Sequence, residues 1–242
     1  MDETLAEAHA ALGAVTYMLD WDFRGAEREF KRAVELNPSS AGARAQYGVY
    51  LTFMGRFDEG VAEMSRAQAL DPTSAVTAGR LGFCHLIARG YDEAIAHYRE
   101  GLDLDPHLGY LYAHLAWVYA RKGMRFEVIA TADKARSLLA PGKDLAFDAF
   151  LAEVYVQSGR RAEVLRWVES WEHPPTERYV DGYILAFLHL LLGNRDRAFQ
   201  WLNRAYEGRT ASLPGLQTDP WWHALRPDPR FQELVRRVGF PE

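Results

Sequence analysis

Three short stretches of this sequence share one pattern: Ala26–Phe30 (AEREF), Gly60–Met64 (GVAEM) and Ala94–Tyr98 (AIAHY). Each begins with a small residue and ends with a bulky one, and each starts 34 residues after the one before it. Seven residues after each stretch ends, an asparagine or aspartate stands directly before a proline, at Pro38, Pro72 and Pro106. Because stretch and proline share the period, the sequence predicts tandem structural repeats.

The period continues through the rest of the chain. Small or branched residues occupy the equivalent positions downstream at Val128, Val164 and Ala198, with steps of 34, 36 and 34 residues. The chain therefore contains six repeat units.

Each unit divides into two predicted helices, A and B. In the first half, a small and a bulky residue stand three apart, as at Gly48 and Leu51, which is the spacing of one helix face. In the second half the order is reversed, as at Tyr98 and Gly101, and such matched small residues let antiparallel helices approach closely. The predicted A helices cover residues 7–20, 41–54, 75–88, 109–122, 145–158 and 179–192, each followed by its B helix.

Glycine marks the turn between helices A and B in five units. Glycine adopts the left-handed backbone that commonly ends a helix. The first unit has Trp21-Asp22 at this place, and Thr4 with Glu7 predicts a capping box for the first helix. The predicted turn glycines are Gly55, Gly90, Gly123, Gly159 and Gly193.

This arrangement of small residues, tyrosine, alanine, aromatic residue and closing proline resembles the tetratricopeptide repeat (TPR) family. The resemblance covers about residues 5–207 and weakens in units five and six, where Trp171 replaces a small residue and the closing proline is lost. A loosened joint is expected at 172–176. The family implies an all-α, right-handed superhelical solenoid of six helix-turn-helix repeats plus a C-terminal capping helix. The expected repeats are about 7–40, 41–74, 75–108, 109–144, 145–178 and 179–207.

Residues 208–242 are expected to form an irregular linker and the capping helix. A helix from Pro229 to Val238 places Phe231 and Leu234 on one stripe, which predicts a cap on the open end of unit six. Trp221 and Trp222 are predicted as buried anchors, with exposed ligand-binding tryptophans as the alternative. The tail is also similar to endings of TPR regions in bacterial multidomain signalling and regulatory proteins.

Composition excludes several classes of protein. Hydrophobic residues make up 48% of the 242 residues, which excludes general disorder, and a net charge of −5 argues against a nucleic-acid binder. The most apolar stretch, Tyr183 to Leu192, is too short to span a membrane. A single cysteine, Cys84, permits no internal disulfide, and the N-terminus has no secretion signal. We expect a cytoplasmic protein, either complete or a domain of a longer chain.

Catalytic and metal-binding motifs are not found in the sequence. His85 and His189 fall in a column that other units fill with tyrosine or leucine, so packed histidines are expected rather than zinc ligands. Cys84 is expected to be a core thiol. The sequence therefore predicts no enzyme, no cofactor and no metal.

The family implies a partner-binding groove along the A helices. Chaperone-binding members hold a terminal carboxylate with lysine and asparagine in the early repeats, but this sequence has Ala11, Val15, Ala45 and Val49 there. An apolar or aromatic-bearing segment is therefore the expected ligand. The alternative is that curvature buries the same side chains against neighbouring A helices. The candidate groove residues are Val49, Arg80, Phe83, Tyr110, His114, Trp117, Glu153, Tyr183 and Phe187.

The expected function is a non-catalytic interaction module that binds an apolar or aromatic-bearing peptide segment in this groove, with a protein or peptide partner. The alternative is a regulatory or sensor domain of a larger bacterial signalling protein that binds a small ligand or its own tail. Self-association stays open.

Overall fold

The computed structural model describes residues 3–139, 145–173 and 180–241 of the chain. These residues form thirteen α-helices and contain no strand. None of the described helices has the length and apolarity that crossing a membrane requires. The helices are α1 Glu3–Val15, α2 Phe23–Leu36, α3 Ala41–Phe53, α4 Phe57–Leu70, α5 Ala75–Ile87, α6 Tyr91–Leu104, α7 Gly109–Arg121, α8 Arg125–Leu138, α9 Leu145–Gln157, α10 Arg161–Glu172, α11 Gly182–Leu191, α12 Arg195–Glu207 and α13 Pro229–Val238.

The first twelve helices are the six predicted A and B pairs, so the all-α repeat architecture is confirmed. Helices α3, α5, α7 and α9 begin where predicted and end one residue earlier than predicted. The first A helix differs, because α1 begins at Glu3 and ends at Val15, and a π-helical turn follows from Thr16 to Asp20. The sixth begins at Gly182, and the predicted start at 179 lies outside the described residues.

Repeated local signals start and stop these helices. The Ser40 hydroxyl accepts a hydrogen bond from the Ala43 backbone N–H at 3.2 Å, and Ser74 caps α5 in the same way through Thr77. These serines are 34 residues apart, so the cap belongs to the repeat. The predicted capping pair depends on the Thr4 side chain, and most of the predicted joint at 172–176 also falls outside the described part of the chain.

Close packing explains the small residues within each pair. A Cβ atom added to Gly48 of α3 would lie 2.8 Å from the Gly60 carbonyl oxygen of α4. A Cβ atom at Gly82 of α5 would lie equally close to the Tyr98 ring of α6, at 2.8 Å. A side chain at either position would therefore push the two helices of its pair apart.

The turn between A and B requires one left-handed residue, and the prediction of its identity is wrong in one unit. Four predicted turn glycines have φ between +71° and +80°, and Trp21 takes this conformation in the first unit with φ of 58°. In the third unit the left-handed residue is Arg89, with φ of 65°, whereas Gly90 has φ of −78° and precedes α6. Gly90 is therefore not the turn residue.

The chain divides into two compact units. The first contains the residues up to Asp105 together with those from Ala211 onward, and the second runs from Pro106 to Thr210. The first unit therefore includes the pairs α1–α2, α3–α4 and α5–α6. The second unit holds the pairs α7–α8, α9–α10 and α11–α12.

The C-terminal segment (residues 211–241) packs within the first unit. The Phe240 ring stacks on Phe23 at a centroid distance of 5.0 Å, and the Thr218 hydroxyl donates to the Phe53 carbonyl oxygen at 3.4 Å. The sequence predicts that this segment caps the sixth pair, whereas these contacts are with the first two pairs. Phe23 of the first pair and Phe53 of the second supply the surface on which the segment packs. The buried residues of the segment include Phe231, Leu234, Trp221 and Trp222, so the prediction of buried tryptophans is confirmed.

Candidate functional site

A pocket of about 220 Å³ lies among the first three A helices of the first unit. It brings together two candidate groove residues, Val49 on α3 and Arg80 on α5. The turn after α1 supplies Tyr17 and Met18. The complete set of lining residues is Ala14, Tyr17, Met18, Phe30, Gln46, Val49 and Arg80.

Aromatic packing forms the floor of this pocket. Tyr17 is 7% exposed and its ring lies 5.6 Å from that of Tyr50 and 6.1 Å from that of Phe30. Burial raises the pKa of Tyr17 to about 12, against the opposing charge of Arg80. Its hydroxyl is therefore neutral at physiological pH, and the floor is uncharged.

Arg80 supplies the charge at this pocket. Its side chain is exposed, and within the described part of the chain it makes no hydrogen bond or ion pair. Its positive charge lowers the pKa of both Tyr17 and Cys84, although burial raises each of them more strongly. The pocket therefore combines apolar walls with one cation whose hydrogen-bond donors are available to a ligand.

Phe83, the third candidate residue of this unit, lies on the same helix as Arg80. It is half-buried, and its ring packs on Phe53 at a centroid distance of 5.9 Å. Phe53 in turn lies 6.4 Å from Tyr17, so one line of rings joins Phe83 to the pocket floor.

The equivalent column in the second unit is packed. Trp117 is fully buried, its indole N–H donates to the Glu153 carboxylate, and its ring lies at right angles to Phe150. Arg121 stacks over the Trp117 ring at 4.6 Å and pairs with Glu153 at 2.7 Å. Burial raises the pKa of Glu153, and the charge of Arg121 opposes that effect.

His114 lies in an aromatic cage in the same unit. Its ring is 4.5 Å from Phe150 and 5.5 Å from Phe147, and burial lowers its pKa to about 3. The imidazole is therefore neutral at physiological pH. Tyr110 is half-buried and stacks on Phe147 at 5.3 Å.

The two candidates from the sixth pair are also inside the second unit. Tyr183 is 2% exposed and Phe187 is 4% exposed, both on α11. Five of the six candidates in this unit are thus buried. This agrees with the alternative that these side chains pack inside the fold instead of lining an open groove. In the first unit Val49, Arg80 and Phe83 keep contact with solvent.

One surface in the second unit has no counterpart in the sequence-based predictions. Phe126 at the start of α8 is 96% exposed, and a cleft of about 560 Å³ lies one turn further along this helix. The signal was present in the repeat, because Arg24, Asp58 and Asp92 occupy the same position in earlier units. The cleft is lined by Ala120, Gly123, Val128, Ile129, Gln157 and Ser158.

The cysteine and the two histidines singled out from the sequence are packed against or bonded to neighbouring side chains. Cys84 is buried, and burial raises its pKa to about 11, so the prediction of a core thiol is confirmed. His85 stacks on His97 at 5.4 Å, and His189 bonds Glu172 through Nε2 at 3.1 Å. No group of three or more potential metal ligands occurs among the described residues.

Comparisons with solved structures establish the fold. No protein-family model and no curated protein matches the sequence. TTC0263, a thermophilic TPR protein in Thermus thermophilus, is 20% identical with a TM-score of 0.61 over 82% of this chain and 99% of that chain. PilW, a widely conserved type IV pilus biogenesis factor, is 16% identical with a TM-score of 0.59 over 91% and 97%. PilF of Pseudomonas aeruginosa is 17% identical with a TM-score of 0.56 over 97% and 98%. The tetratricopeptide-repeat architecture predicted from the sequence is confirmed.

Proposed function

We propose that this chain is a non-catalytic interaction module, and that the pocket between α1, α3 and α5 receives an apolar or aromatic side chain of a partner protein. The observation that carries the proposal is the pocket itself. Its apolar lining includes Tyr17, Met18 and Val49, and the Arg80 side chain lines it without a hydrogen-bond or ion-pair partner in the described part of the chain.

The size of the pocket favours a protein segment over a small molecule. Ligand sites for whole small molecules typically enclose about 300–1,000 Å³. A volume of about 220 Å³ is smaller than that and suits one large side chain. At this pocket, the volume therefore supports binding of a partner side chain over binding of a whole small molecule.

The candidate groove residues take two roles in this proposal. Val49, Arg80 and Phe83 are the direct contacts of the partner segment, since each retains exposed surface. The buried candidates of the second unit, such as Trp117 and Tyr183, hold that unit together instead of touching the partner. A single, buried Cys84 suits a reducing compartment, and we assign the protein to the cytoplasm.

A titration with N-acetyl-L-phenylalaninamide tests the pocket, because this probe carries one aromatic side chain between two amides. The chain has five methionines, so a methyl-labelled methionine spectrum is simple to assign. The Met18 methyl signal is expected to shift saturably, while that of Met64, which is fully buried, stays in place.

Two matched variants decide whether the pocket is the site. Ala14→Leu places a larger side chain in the pocket. We expect it to lower the affinity for the probe by at least about tenfold, equivalent to about 1.4 kcal/mol. Ala11→Leu adds the same atoms to an exposed position of α1 outside the pocket lining and should leave the affinity unchanged. If both variants bind equally, or if Met18 shows no saturable shift in the unaltered chain, the pocket is not the site.

A further inference from the structure

The first A helix ends differently from the five others. Helices α3, α5, α7, α9 and α11 are each followed by one further residue and then by the left-handed turn residue, whereas α1 continues through the five-residue π-helical turn Thr16–Asp20. The Asp22 backbone N–H then donates to the Thr16 carbonyl oxygen at 3.2 Å. Isolated π-helical turns are rare and frequently occur at functional sites. This turn carries Tyr17 and Met18, two of the residues that line the pocket.

The C-terminal segment contacts this turn. Its 3-10 turn Leu213–Gln217 packs against both Thr16–Asp20 and α3, and Leu213 and Leu216 are fully buried. The Phe240 ring stacks on Phe23, the first residue of α2. The π-helical turn is therefore bracketed, with the 3-10 turn against it and Phe240 on the helix that follows it.

Phe53 connects the same segment to the groove. Its carbonyl oxygen accepts the Thr218 hydroxyl, and its ring lies near those of Tyr17 and Phe83. The Thr218 methyl group would lie 3.8 Å from a Cβ atom at Gly55, so the segment lies directly on the turn that ends α3. The segment thus contacts the two elements that carry pocket residues, the Thr16–Asp20 turn and α3.

We propose that the C-terminal segment holds Thr16–Asp20 in its π-helical form and thereby sets the shape and affinity of the pocket. The effect on affinity rests on the proposed function, whereas the effect on the turn does not. The segment acts as a positioning element. It contributes no lining residue, but it holds the turn that lines the pocket and does not occupy the pocket itself. Loosening the segment lets the turn relax toward α-helix and moves Met18 out of place.

Two substitutions in the segment test this coupling. Thr218→Val removes the hydroxyl that bonds Phe53 with little change in shape, and Phe240→Ala removes the half-buried ring that stacks on Phe23. Arg236→Ala is the control, because Arg236 lies on α13 and pairs with Glu233 within that helix. Unfolding in urea shows for each variant that the fold persists, and Thr218→Val keeps the test open if Phe240→Ala does not fold.

The first readout needs no ligand. Amide hydrogen exchange of Trp21 and Asp22, whose N–H groups bond the Thr16 carbonyl, is expected to accelerate in Thr218→Val and Phe240→Ala, and the Met18 methyl signal should move. Arg236→Ala should match the unaltered chain in both measurements. Unchanged exchange and an unchanged Met18 signal in both variants would overturn the proposal.

The second readout is the affinity for N-acetyl-L-phenylalaninamide. We expect it to fall by about five- to tenfold in the two variants, a typical coupling between sites. An unchanged affinity alongside a moved Met18 signal would refute control of the pocket. A higher affinity would show that the segment blocks the pocket instead of building it. If the unaltered chain does not bind the probe, the proposed function fails, and the exchange measurement still decides whether the segment holds the turn.

Discussion

The two units treat the same column of A-helix residues in opposite ways. In the first unit the column contains Val49 and Phe83, which pack only partly and leave a pocket beside small residues such as Ala14. In the second unit it contains Trp117 and Glu153, which are buried by each other and by Phe150. Large neighbouring side chains close the column, so a repeat position that stays half-buried in one pair becomes core in another.

The comparison predicts that the largest loss of stability follows truncation of Trp117, whose indole is fully buried. Trp117→Ala should destabilise the chain by about 3–5 kcal/mol, because it leaves a cavity and removes the indole N–H that donates to Glu153. Phe83→Ala at the equivalent position should cost only about 1 kcal/mol, since that ring is half-buried. Equilibrium unfolding in urea measures both.

The same pair separates packing from binding. Trp117→Ala should leave the affinity of the pocket in the first unit unchanged under conditions where the variant is folded. Equal costs for the two substitutions would show that the columns are equally open and would remove the distinction between the units.

A half-buried carboxylate, Glu172, and a buried one, Glu153, extend the comparison through the pH dependence of stability in the second unit. Burial raises the pKa of Glu172, but hydrogen bonds from Trp201, Arg197 and His189 outweigh it and hold the pKa below its ordinary value of 4.5. Its contribution to stability is therefore full above pH 4.5 and is lost as the pH falls through the lowered pKa. Glu172→Gln should cost about 1–3 kcal/mol at pH 7 and less at about pH 3.

Glu153 should show the opposite trend. Burial holds its pKa above the ordinary value, so its contribution is full below pH 4.5 and is lost as the pH rises through the raised pKa. Glu153→Gln keeps an oxygen acceptor for Trp117 and should be within about 1 kcal/mol of neutral at pH 7. Urea unfolding at pH 3 and pH 7 compares the variants, and parallel pH trends would contradict the assignment.

The smallest expected effect concerns the turn residue of the third pair. Arg89→Gly should stabilise the chain by about 0.5 kcal/mol, because relief of the left-handed arginine exceeds the entropy lost by glycine. Gly159→Ala is the matched control in the second unit: its φ is +80° with open space around the position, so it should destabilise by about 1 kcal/mol. Thermal melting detects both, and a destabilised Arg89→Gly variant would show that the arginine side chain supports the turn.

Much of the fold could be predicted because its signals are local. The small residue Gly48 faces α4, where a larger side chain would clash, and the hydroxyl of a serine before α3 and α5 accepts a hydrogen bond from a backbone N–H three residues further on. Such constraints act within a few residues or within one pair, so they can be read from spacing alone. The identity of Arg89 as turn residue escaped prediction because the adjacent Gly90 offered an equally plausible signal.

The candidate site could be predicted only in part. The sequence predicts Val49 and Arg80 as groove residues, and both of them line the pocket. Tyr17 and Met18 were missed as pocket residues, because their place depends on the π-helical turn that replaces the end of α1. Phe126 was missed although it interrupts a charged position of the repeat.

The sequence by itself determined the number of repeats, the order of helices and most of their bounds, since period, caps and closing prolines are properties of adjacent residues. Only the tertiary structure decided which members of the A-helix column touch solvent. Exposure of Trp117 or Val49 depends on the size of side chains one or two helices away, and the position of the C-terminal segment depends on which distant aromatic surface it covers. These are packing outcomes among residues far apart in the chain, so no local pattern encodes them.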